Sequence, residues 1–286
     1  MLPEWLSIKP ASTEKYAAIK QTMSSVGLNT VCTEAHCPNA AECWSSGTAT
    51  FMILGNTCTR GCRFCAIKKS SAGATIDARE PEKLAKIIQE WKLKYAVLTS
   101  VCRDDLEDQG AGHFADCIRE IKKASPGTIV ELLIPDFGGG VSCLQQIVDA
   151  RPDVIGHNLE TVERLSPSVR DGRASYSQSL NVLKTCKTLN ERIYTKSALM
   201  LGMGESEAEV LAAFSDLRNA GVDFLAIGQY LRPSSKQMAV SEYIVPERFE
   251  HLKEKALEAG FLYVAAGPFV RSSYNAAKYF AMAKNK

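Results

Sequence analysis

Residues 50–65 read T-F-M-I-L-G-N-T-C-T-R-G-C-R-F-C, so a short apolar run leads directly into three cysteines spaced C-x3-C-x2-C. The run has the length and composition of a buried β-strand. Cys58, Cys62 and Cys65 (the loop triplet) supply thiolates, which select zinc, copper(I) or iron–sulfur clusters. No fourth Cys or His follows at the spacing that closes a structural zinc site. A four-iron cluster held by three cysteines leaves one iron open to a substrate, so we expect a reactive centre just after this strand.

A second triplet lies nearer the N-terminus. Cys32, Cys37 and Cys43 (the N-terminal triplet) are spaced C-x4-C-x5-C, and six of the ten cysteines therefore fall between Cys32 and Cys65. Disulfide frameworks are typical of small secreted domains, which a chain of 286 residues without a secretory signal is not. Two open interpretations follow: iron–sulfur ligation by each triplet, or one zinc module built from both.

Composition limits the possible partners. The chain has 34 basic and 32 acidic residues, a net charge of +2, and 45% hydrophobic residues, enough for a sizeable core. This balance indicates neither a nucleic-acid partner nor an anionic membrane surface. The N-terminus has no long apolar signal region, and no apolar run approaches the ~20 residues that cross a bilayer. We predict a cytoplasmic protein without membrane or nucleic-acid partners.

Short apolar runs alternate with segments of helical periodicity along the chain. The predicted strands are 50–54, 95–99, 128–134, 153–156, 194–201 and 223–227. The predicted helices are 81–92, 112–123, 142–150, 177–189, 205–220 and 247–259. This alternation predicts βαβ units and a parallel sheet. Six units fit a partial TIM-type (β/α)6 barrel, and the same pattern also fits a flavodoxin-like layered sheet.

The segments that follow the predicted strands favour the barrel. Each strand is followed by a polar cluster, and barrel enzymes place their active sites at the C-terminal ends of the strands. A doubly wound sheet would concentrate function at one switch point instead. We therefore predict an N-terminal extension over residues 1–47, a partial barrel over 48–262 and a C-terminal tail over 263–286.

The loop triplet, with Phe64 before its last cysteine, resembles the signature of the radical S-adenosylmethionine superfamily. Further segments resemble the lipoyl synthase family nearly end to end. They are E-A-H-C-P-N-A-A-E-C-W-S-S-G-T-A-T-F-M-I-L-G (34–55), H-N-L-E-T (157–161), T-K-S-A-L-M-L-G-M-G-E (195–205), I-G-Q-Y-L-R-P-S (227–234) and V-R-S-S-Y (270–274). The resemblance implies insertion of two sulfur atoms, at the sixth and eighth carbons of an octanoyl chain on a carrier-protein lysine. It also implies one S-adenosylmethionine per insertion and an auxiliary cluster that is consumed as the sulfur source.

The resemblance implies partners as well. The substrate would be an octanoylated lipoyl carrier protein, either a lipoyl domain or a glycine cleavage H protein. An electron donor such as ferredoxin or flavodoxin would reduce the enzyme, and an iron–sulfur carrier would replace the consumed cluster. Two 4Fe–4S clusters and S-adenosylmethionine are the implied cofactors.

By the same resemblance, Cys58, Cys62 and Cys65 hold the radical-generating cluster. The auxiliary cluster is held by four residues: Cys32, Cys37, Cys43 and Ser273. A serine oxygen is a harder, weaker partner for iron than a thiolate, so its loss would open an iron when a cluster sulfur is attacked. From the residues alone, the cap of a C-terminal helix is the favoured reading of Ser273, and only the resemblance reverses it.

Four further residues are implied in cofactor binding. Asn158 and Glu160 suit the amino and ribose groups of S-adenosylmethionine, Arg170 suits its methionine carboxylate, and Phe64 belongs to the signature. Each of the polar residues is also compatible with a turn, cap or surface role. His157 is expected to orient its neighbours by hydrogen bonding rather than to bind metal.

The roles of some other polar residues stay open. Arg103, Asp104 and Asp105 orient the substrate or cofactor, or form a local ion-pair network. Lys196 needs an acidic partner if it is buried.

The chain departs from the family pattern in places. Cys102 stands where aspartate is usual, Ala198 where glycine is common and Gly156 where asparagine is common. Two other functions stay open: a different radical enzyme with an auxiliary cluster (biotin-synthase-like or methylthiolating), and a non-enzymatic zinc or iron–sulfur module. The spacing of the N-terminal triplet and the R-S-S-Y segment argue against the first, and the six polar strand-end clusters argue against the second.

Overall fold

A curved parallel sheet forms the centre of the protein. The computed structural model describes residues 3–6, 21, 23, 27–31, 39, 43, 48–274 and 276–284, without the side chains of 278, 279, 283 and 284. Its strands are β1 (Asn29–Thr30), β2 (Thr48–Ile53), β3 (Thr57–Cys58), β4 (Lys68–Lys69), β5 (Tyr95–Ser100), β6 (Ile129–Leu133), β7 (Val154–Gly156), β8 (Tyr194–Leu201), β9 (Phe224–Gln229) and β10 (Tyr263–Gly267). Its α-helices are α1 (Glu80–Glu90), α2 (Ala111–Ala124), α3 (Val141–Asp149), α4 (Ser166–Val169), α5 (Tyr176–Leu189), α6 (Glu207–Asn219), α7 (Pro246–Glu258) and α8 (Ala276–Lys284).

The order of strands in the sheet follows their order in the chain. Within the described residues the sheet has eight strands, β1-β2-β5-β6-β7-β8-β9-β10. Every neighbouring pair from β2 to β10 is parallel, and β1 is antiparallel to β2. Because the order never reverses, there is no switch point of the kind that defines a doubly wound sheet. The predicted partial barrel is confirmed, and the flavodoxin-like alternative is wrong.

Alternating side chains divide the sheet into two faces. Ala96, Leu98, Val130 and Leu132 on β5 and β6 point outward and pack under helices α1–α3. Tyr95, Val154 and Phe224 point the other way and contact Ala276 and Phe280 of α8. The C-terminal helix therefore lies on the inner face of the curved sheet, near the N-terminal ends of the strands.

Helix ends follow local sequence. Pro81 lies in the first turn of α1, and Ser206 and Glu209 form a capping box at the start of α6. Gly221, just after α6, has φ +81°, the left-handed conformation that ends helices. Each of the six predicted strands and helices is present, with ends shifted by one or two residues or unchanged, as at 194–201.

Two strands of the main sheet lie outside the predicted six units. Residues 263–267, assigned from sequence to the C-terminal tail, form β10, which pairs in parallel with β9. Residues 29–30 of the predicted N-terminal extension form β1 at the other edge of the sheet. Cys32 and Cys37 lie outside the described residues. None of the helices in the described part of the chain is long and apolar enough to span a membrane.

Candidate active site

The loop triplet begins at Cys58, the last residue of β3, and continues in the loop before β4, beyond the C-terminal end of β2 as predicted. All three cysteines are half-buried. The backbone N–H of Arg60 donates to Cys58 Sγ at 3.4 Å, and that of Asp171 donates to Cys62 Sγ at 3.3 Å. Burial raises the pKa of the Cys65 thiol, and the Ile67 backbone N–H offsets part of that rise. Backbone N–H donors on sulfur are a general means of stabilising and tuning iron–sulfur ligands.

The three thiols influence one another electrostatically. The pKa of Cys58 is lowered to about 6, chiefly by a hydrogen bond with the Cys102 side chain. Burial raises the pKa of Cys65 to about 11, and the negative charges of Cys62 and Cys58 add to this rise. Burial also raises the pKa of Cys62. A cationic metal centre bound among the three thiols would instead lower their pKa values, because a bound metal deprotonates its thiol ligands.

The triplet does not have the geometry of a single-ion site. Among the described residues, no three His, Cys, Asp or Glu side chains converge as one metal ion requires. A zinc ion would draw its thiolates to about 2.3 Å from one point. In a cubane cluster each cysteine binds a different iron, so its sulfurs stand further apart. Three soft thiol donors are the donor set of an iron–sulfur cluster.

A buried ion-pair clamp holds this loop against the barrel. Arg60 is 4% exposed, and its guanidinium donates to Asp104 Oδ1 at 2.7 Å and to Asp136 Oδ2 at 2.7 Å. Thr59 Oγ1 donates to the same Asp104 at 2.6 Å, and Gln178 Nε2 donates to Asp136 at 2.7 Å. Three strand-end segments, after β2, β5 and β6, are thereby joined in one network beneath the cysteines.

A second clamp approaches the loop from the segment after β7. Asp171 accepts the Gly61 N–H at 2.6 Å while its own N–H points at Cys62. Arg173 pairs with Asp171 at 2.8 Å and donates to Thr59 O at 2.7 Å. Because the loop is fixed from both sides, its cysteines are positioned before any ligand binds.

The segment that begins with Arg103 forms a local ion-pair network. Arg103 pairs with Asp105 at 2.9 Å and donates to Leu54 O at 3.2 Å, while Asp105 accepts the Gly73 N–H at 3.1 Å. Leu54 has φ +65°, and Glu80 accepts its N–H at 3.0 Å. Of the two readings drawn from sequence, the ion-pair network is the one the structure supports. It fixes the turn that delivers the chain from β2 into the cysteine loop.

Replacing Arg60 by methionine is expected to lower the free energy of unfolding of the metal-free protein by about 3–5 kcal/mol, because it leaves Asp136 buried without its cation. Urea titration under reducing conditions measures this change. Arg173→Met is the matched control, since the Arg173 side chain is 50% exposed and its pairs are worth at most about 1 kcal/mol. Equal losses in the two variants would show that the clamp does not hold the loop.

The candidate cofactor-binding residues meet beside the loop triplet. Glu160 has φ +69°, a conformation that is costly for a residue with a Cβ and is common at functional sites. It is held there by backbone bonds to β8, from Glu160 N to Ala198 O at 3.1 Å and from Met200 N to Glu160 O at 2.9 Å. Asn158 Nδ2 donates to Glu160 Oε1 at 3.1 Å. Burial raises the pKa of both Cys62 and Cys65, and the charge of Glu160 adds to both rises.

Arg170 is 8% exposed and forms no ion pair within the described residues. Its NH1 donates to Ser179 Oγ at 2.7 Å, and that hydroxyl lies 2.8 Å from His157 Nε2. His157 Nδ1 lies 2.9 Å from Ile134 O, so the ring is neutral, donates from Nδ1 and accepts the Ser179 hydroxyl proton at Nε2. Burial lowers the pKa of His157 to about 4, and the Arg170 charge lowers it further. The hydrogen bonds of His157 suit the orienting role predicted for it, and Ser179 is a polar residue next to Arg170 that sequence reasoning missed.

Phe64 lies on the inner side of the loop. It packs with Val169, Met203 and Tyr230 in a small apolar cluster separate from the main core. This cluster borders the triplet and limits the access of water to it.

Only part of the predicted auxiliary site can be placed. Cys43 is half-buried, and its N–H donates to Asn39 O at 3.0 Å. Asn39 Nδ2 donates to Phe269 O at 2.6 Å, which ties the N-terminal triplet's segment to the C-terminal tail four residues before Ser273. Ser273 is half-buried, three residues before the start of α8, and no hydrogen bond of its hydroxyl is found in the described part of the chain. The cysteine and serine segments are therefore close in space, although 230 residues separate Asn39 and Phe269.

Lys196 has the acidic partner that the sequence analysis requires. It is 2% exposed and pairs with Glu131 at 2.9 Å, and Tyr95 donates to the same carboxylate at 2.6 Å. These residues lie on the inner face of the sheet, on β5, β6 and β8. Strand β7 lies between β6 and β8, so Lys196 and Glu131 form a buried ion pair across one strand on the inner face of the sheet.

Comparison with known proteins agrees with this geometry. The family model of the radical SAM superfamily matches residues 52–228, from β2 to the end of β9. A lipoyl synthase of Methanocella arvoryzae is 54% identical over 278 residues, which cover 97% of this chain and 94% of that protein. The chain belongs to the lipoyl synthase family. A mitochondrial lipoyl synthase of Drosophila grimshawi is 49% identical and covers 98% of this chain and 78% of that protein.

Solved structures support the fold. The FeFe-hydrogenase maturase of Carboxydothermus hydrogenoformans superposes with a TM-score of 0.58 at 12% identity, over 95% of this chain and 78% of that one. Streptococcus suis SuiB bound to S-adenosylmethionine superposes with a TM-score of 0.60 at 8% identity. The match covers 79% of this chain and 53% of that one. As a member of the lipoyl synthase family, the chain is a radical SAM sulfurtransferase with 4Fe–4S clusters and S-adenosylmethionine as cofactors. The predicted family, enzyme class and cofactors are confirmed.

Proposed function

We propose that this chain inserts sulfur at the sixth and eighth carbons of an octanoyl chain carried on a lysine of a lipoyl carrier protein, with Cys58, Cys62 and Cys65 holding the radical-generating cluster. The observation that carries the proposal is that the residues on either side of Arg170 contact the cysteine loop: Val169 O accepts the Arg63 N–H at 2.9 Å, and the Asp171 N–H donates to Cys62 Sγ at 3.3 Å. When bound, the cluster supplies the electron that cleaves the sulfonium bond of S-adenosylmethionine. A fourth cysteine ligand would block the iron at which that cofactor binds.

The residues around the loop then have separate tasks. Arg170 binds the methionine carboxylate, because it is a buried cation held only by neutral oxygen partners in the described part of the chain. Asn158 and Glu160 receive the amino and ribose groups, since both are half-buried polar groups on the same side of the triplet. Phe64 and its apolar neighbours keep water from the reacting atoms.

The second cluster is assigned to Cys32, Cys37, Cys43 and Ser273. Support comes from the contact of Asn39, between the second and third of these cysteines, with the tail that carries Ser273. Three thiolates would hold the cluster, and the weaker serine oxygen would be the ligand more easily released when the cluster gives up a sulfur.

The partners follow from this chemistry. We propose an octanoylated lipoyl domain or glycine cleavage H protein as substrate, ferredoxin or flavodoxin as reductant, and an iron–sulfur carrier for resupply. Location in the cytoplasm stays a prediction, since relatives include mitochondrial and apicoplast proteins.

Product analysis tests the proposed reaction. Protein reconstituted without air is incubated with dithionite, S-adenosylmethionine and an octanoyl-lysine peptide, and the peptide is examined by mass spectrometry. We expect a peptide carrying two added sulfur atoms, together with methionine and 5′-deoxyadenosine. The same peptide without its octanoyl group is the control. Methionine and 5′-deoxyadenosine without any thiolated peptide would contradict the proposal.

A further inference from the structure

The inner face of the sheet carries small residues near the C-terminal ends of its last three strands. Ala198 pairs with Ala226, Ala226 with Ala265, and Gly228 with Gly267. These small residues face inward, because the residues between them, such as Leu199, Leu225 and Ile227, pack outward under α6 and α7. The result is a shallow wall without large side chains, which we call the small-residue wall (Ala198, Ala226, Gly228, Ala265 and Gly267).

The C-terminal tail lies directly on this wall. Val270 packs against Ala198 and Ala226, and Ala265 and Tyr274 border the same cluster. The tail turns back after β10, with Val270 N donating to Gly267 O at 3.1 Å and Tyr274 N donating to Arg271 O at 2.9 Å. The Arg271 guanidinium donates to Val270 O at 2.7 Å.

Gly228 is the closest point of contact. A Cβ built on Gly228 would overlap the carbonyl oxygen of Val270 and lie 3.1 Å from its carbonyl carbon. Gly228 does not have a positive φ, so its backbone conformation is open to any residue. Glycine is therefore needed for space rather than for conformation, and the space is taken by tail backbone, which cannot rotate away as a side chain would.

The tail segment seated at Gly228 carries Ser273. Ser273 lies three positions after Val270, so the Cα atoms of the two residues are at most about 11 Å apart. One residue before Val270, Phe269 O accepts the Asn39 side chain from the segment of the N-terminal triplet. A shift of the tail at Gly228 is therefore transmitted both to Ser273 and to its contact with the cysteine segment.

We propose that Gly228 is a positioning residue for the auxiliary cluster: by leaving room for the Val270 carbonyl, it sets the place of Ser273 opposite the N-terminal triplet. This inference rests on the proposed role of Ser273 as a ligand. It assigns to the I-G-Q-Y segment a function in holding the sulfur source, at a position distant from the loop triplet in sequence.

The test isolates the auxiliary cluster. With Cys58, Cys62 and Cys65 replaced by alanine, the iron that reconstituted protein retains belongs to the second site. Loss of that iron to an added chelator is followed by visible absorbance in three proteins: the alanine background alone, the background with Gly228→Ala, and the background with Gly127→Ala. Gly127 is the matched control, because nothing lies within 4 Å of a Cβ at that position and its φ is not positive.

We expect iron loss to be about 10-fold faster with Gly228→Ala, the lower end of what the loss of an outer supporting group costs a metal site. With Gly127→Ala the rate stays that of the background. Equal rates in the two glycine variants would overturn the role of Gly228. If the alanine background binds no iron at all, the proposed auxiliary site itself fails, and the two failures are thus distinguishable.

A second variant keeps the test decisive if Gly228→Ala does not fold. Val270→Ala removes the side chain that packs on Ala198 and Ala226 and adds no bulk. We expect it to accelerate iron loss relative to Gly127→Ala, while S-adenosylmethionine cleavage in the otherwise wild-type protein stays within about twofold, a barrier change below about 0.5 kcal/mol. An unchanged rate of iron loss would overturn the inference.

Discussion

Cys62→Ala is expected to abolish cleavage of S-adenosylmethionine, with a loss of at least about a thousandfold, or about 4 kcal/mol in the activation barrier. Two thiolates cannot hold a four-iron cluster with a single open iron at the position that Arg170 and Glu160 face. The Asp171 N–H that now points at the Cys62 sulfur at 3.3 Å would also lose its acceptor. Cleavage is measured as methionine and 5′-deoxyadenosine released by dithionite-reduced, reconstituted protein.

The control for this variant is Cys143→Ala. Cys143 is half-buried like Cys62, but it lies in α3, and its thiol contacts Asp108 O rather than the loop. We expect Cys143→Ala to retain cleavage and full iron content. Retained cleavage in Cys62→Ala would exclude the loop triplet as the radical-generating site.

Ser273→Ala is expected to separate the two halves of the reaction. Cleavage of S-adenosylmethionine should stay within about twofold of wild type, while thiolated product falls at least about tenfold, a difference of about 1.4 kcal/mol or more between the two steps. The reason is that Ser273 lies on the tail next to the segment of the N-terminal triplet and is not among the residues assigned to the radical-generating cluster. Both activities are measured in the same reaction, by methionine release and by the mass of the octanoyl-lysine peptide.

Its neighbour Ser272 provides the matched control. Ser272→Ala removes the same hydroxyl one residue earlier and should change neither activity. Ser273→Cys should keep the second cluster bound, since a thiolate replaces the alkoxide as an iron ligand. Equal loss of cleavage and sulfur transfer in Ser273→Ala, with the auxiliary cluster still present, would contradict the assigned role.

The six strand–helix units could be predicted because each strand is a run of apolar residues bounded by turn signals. The run 194–201 even has the predicted ends. Strand β10 could not be predicted in the same way. Its sequence, Y-V-A-A-G, carries small residues where the tail packs, so the apolar signal that marks a buried strand is weak. Ala265 packs with Val270 and with Ala198 and Ala226 of β8 and β9, and such contacts are not visible along the chain.

The site residues also divide into those that the sequence predicted and those that it did not. The loop triplet could be found from spacing alone, because three thiols within eight residues are uncommon outside metal and cluster sites in a chain of this size. The buried ion-pair clamp of Arg60 could not be found in this way. Arg60 and Asp136 are 76 residues apart, and nothing in the sequence around either marks it as part of a site. Ser179 was missed for the same reason: it lies in the middle of α5, and only the fold brings it between Arg170 and His157. Motifs thus reveal ligands, whereas the residues that position them become visible only in three dimensions.

The metal content of anaerobically reconstituted protein tests most directly whether two cysteine triplets hold two clusters. Iron, acid-labile sulfide and zinc are measured per chain after removal of unbound metal. The predicted result is about eight irons and about eight sulfides, as two cubane clusters require, with no zinc. About four irons per chain, or zinc in place of iron, would contradict it.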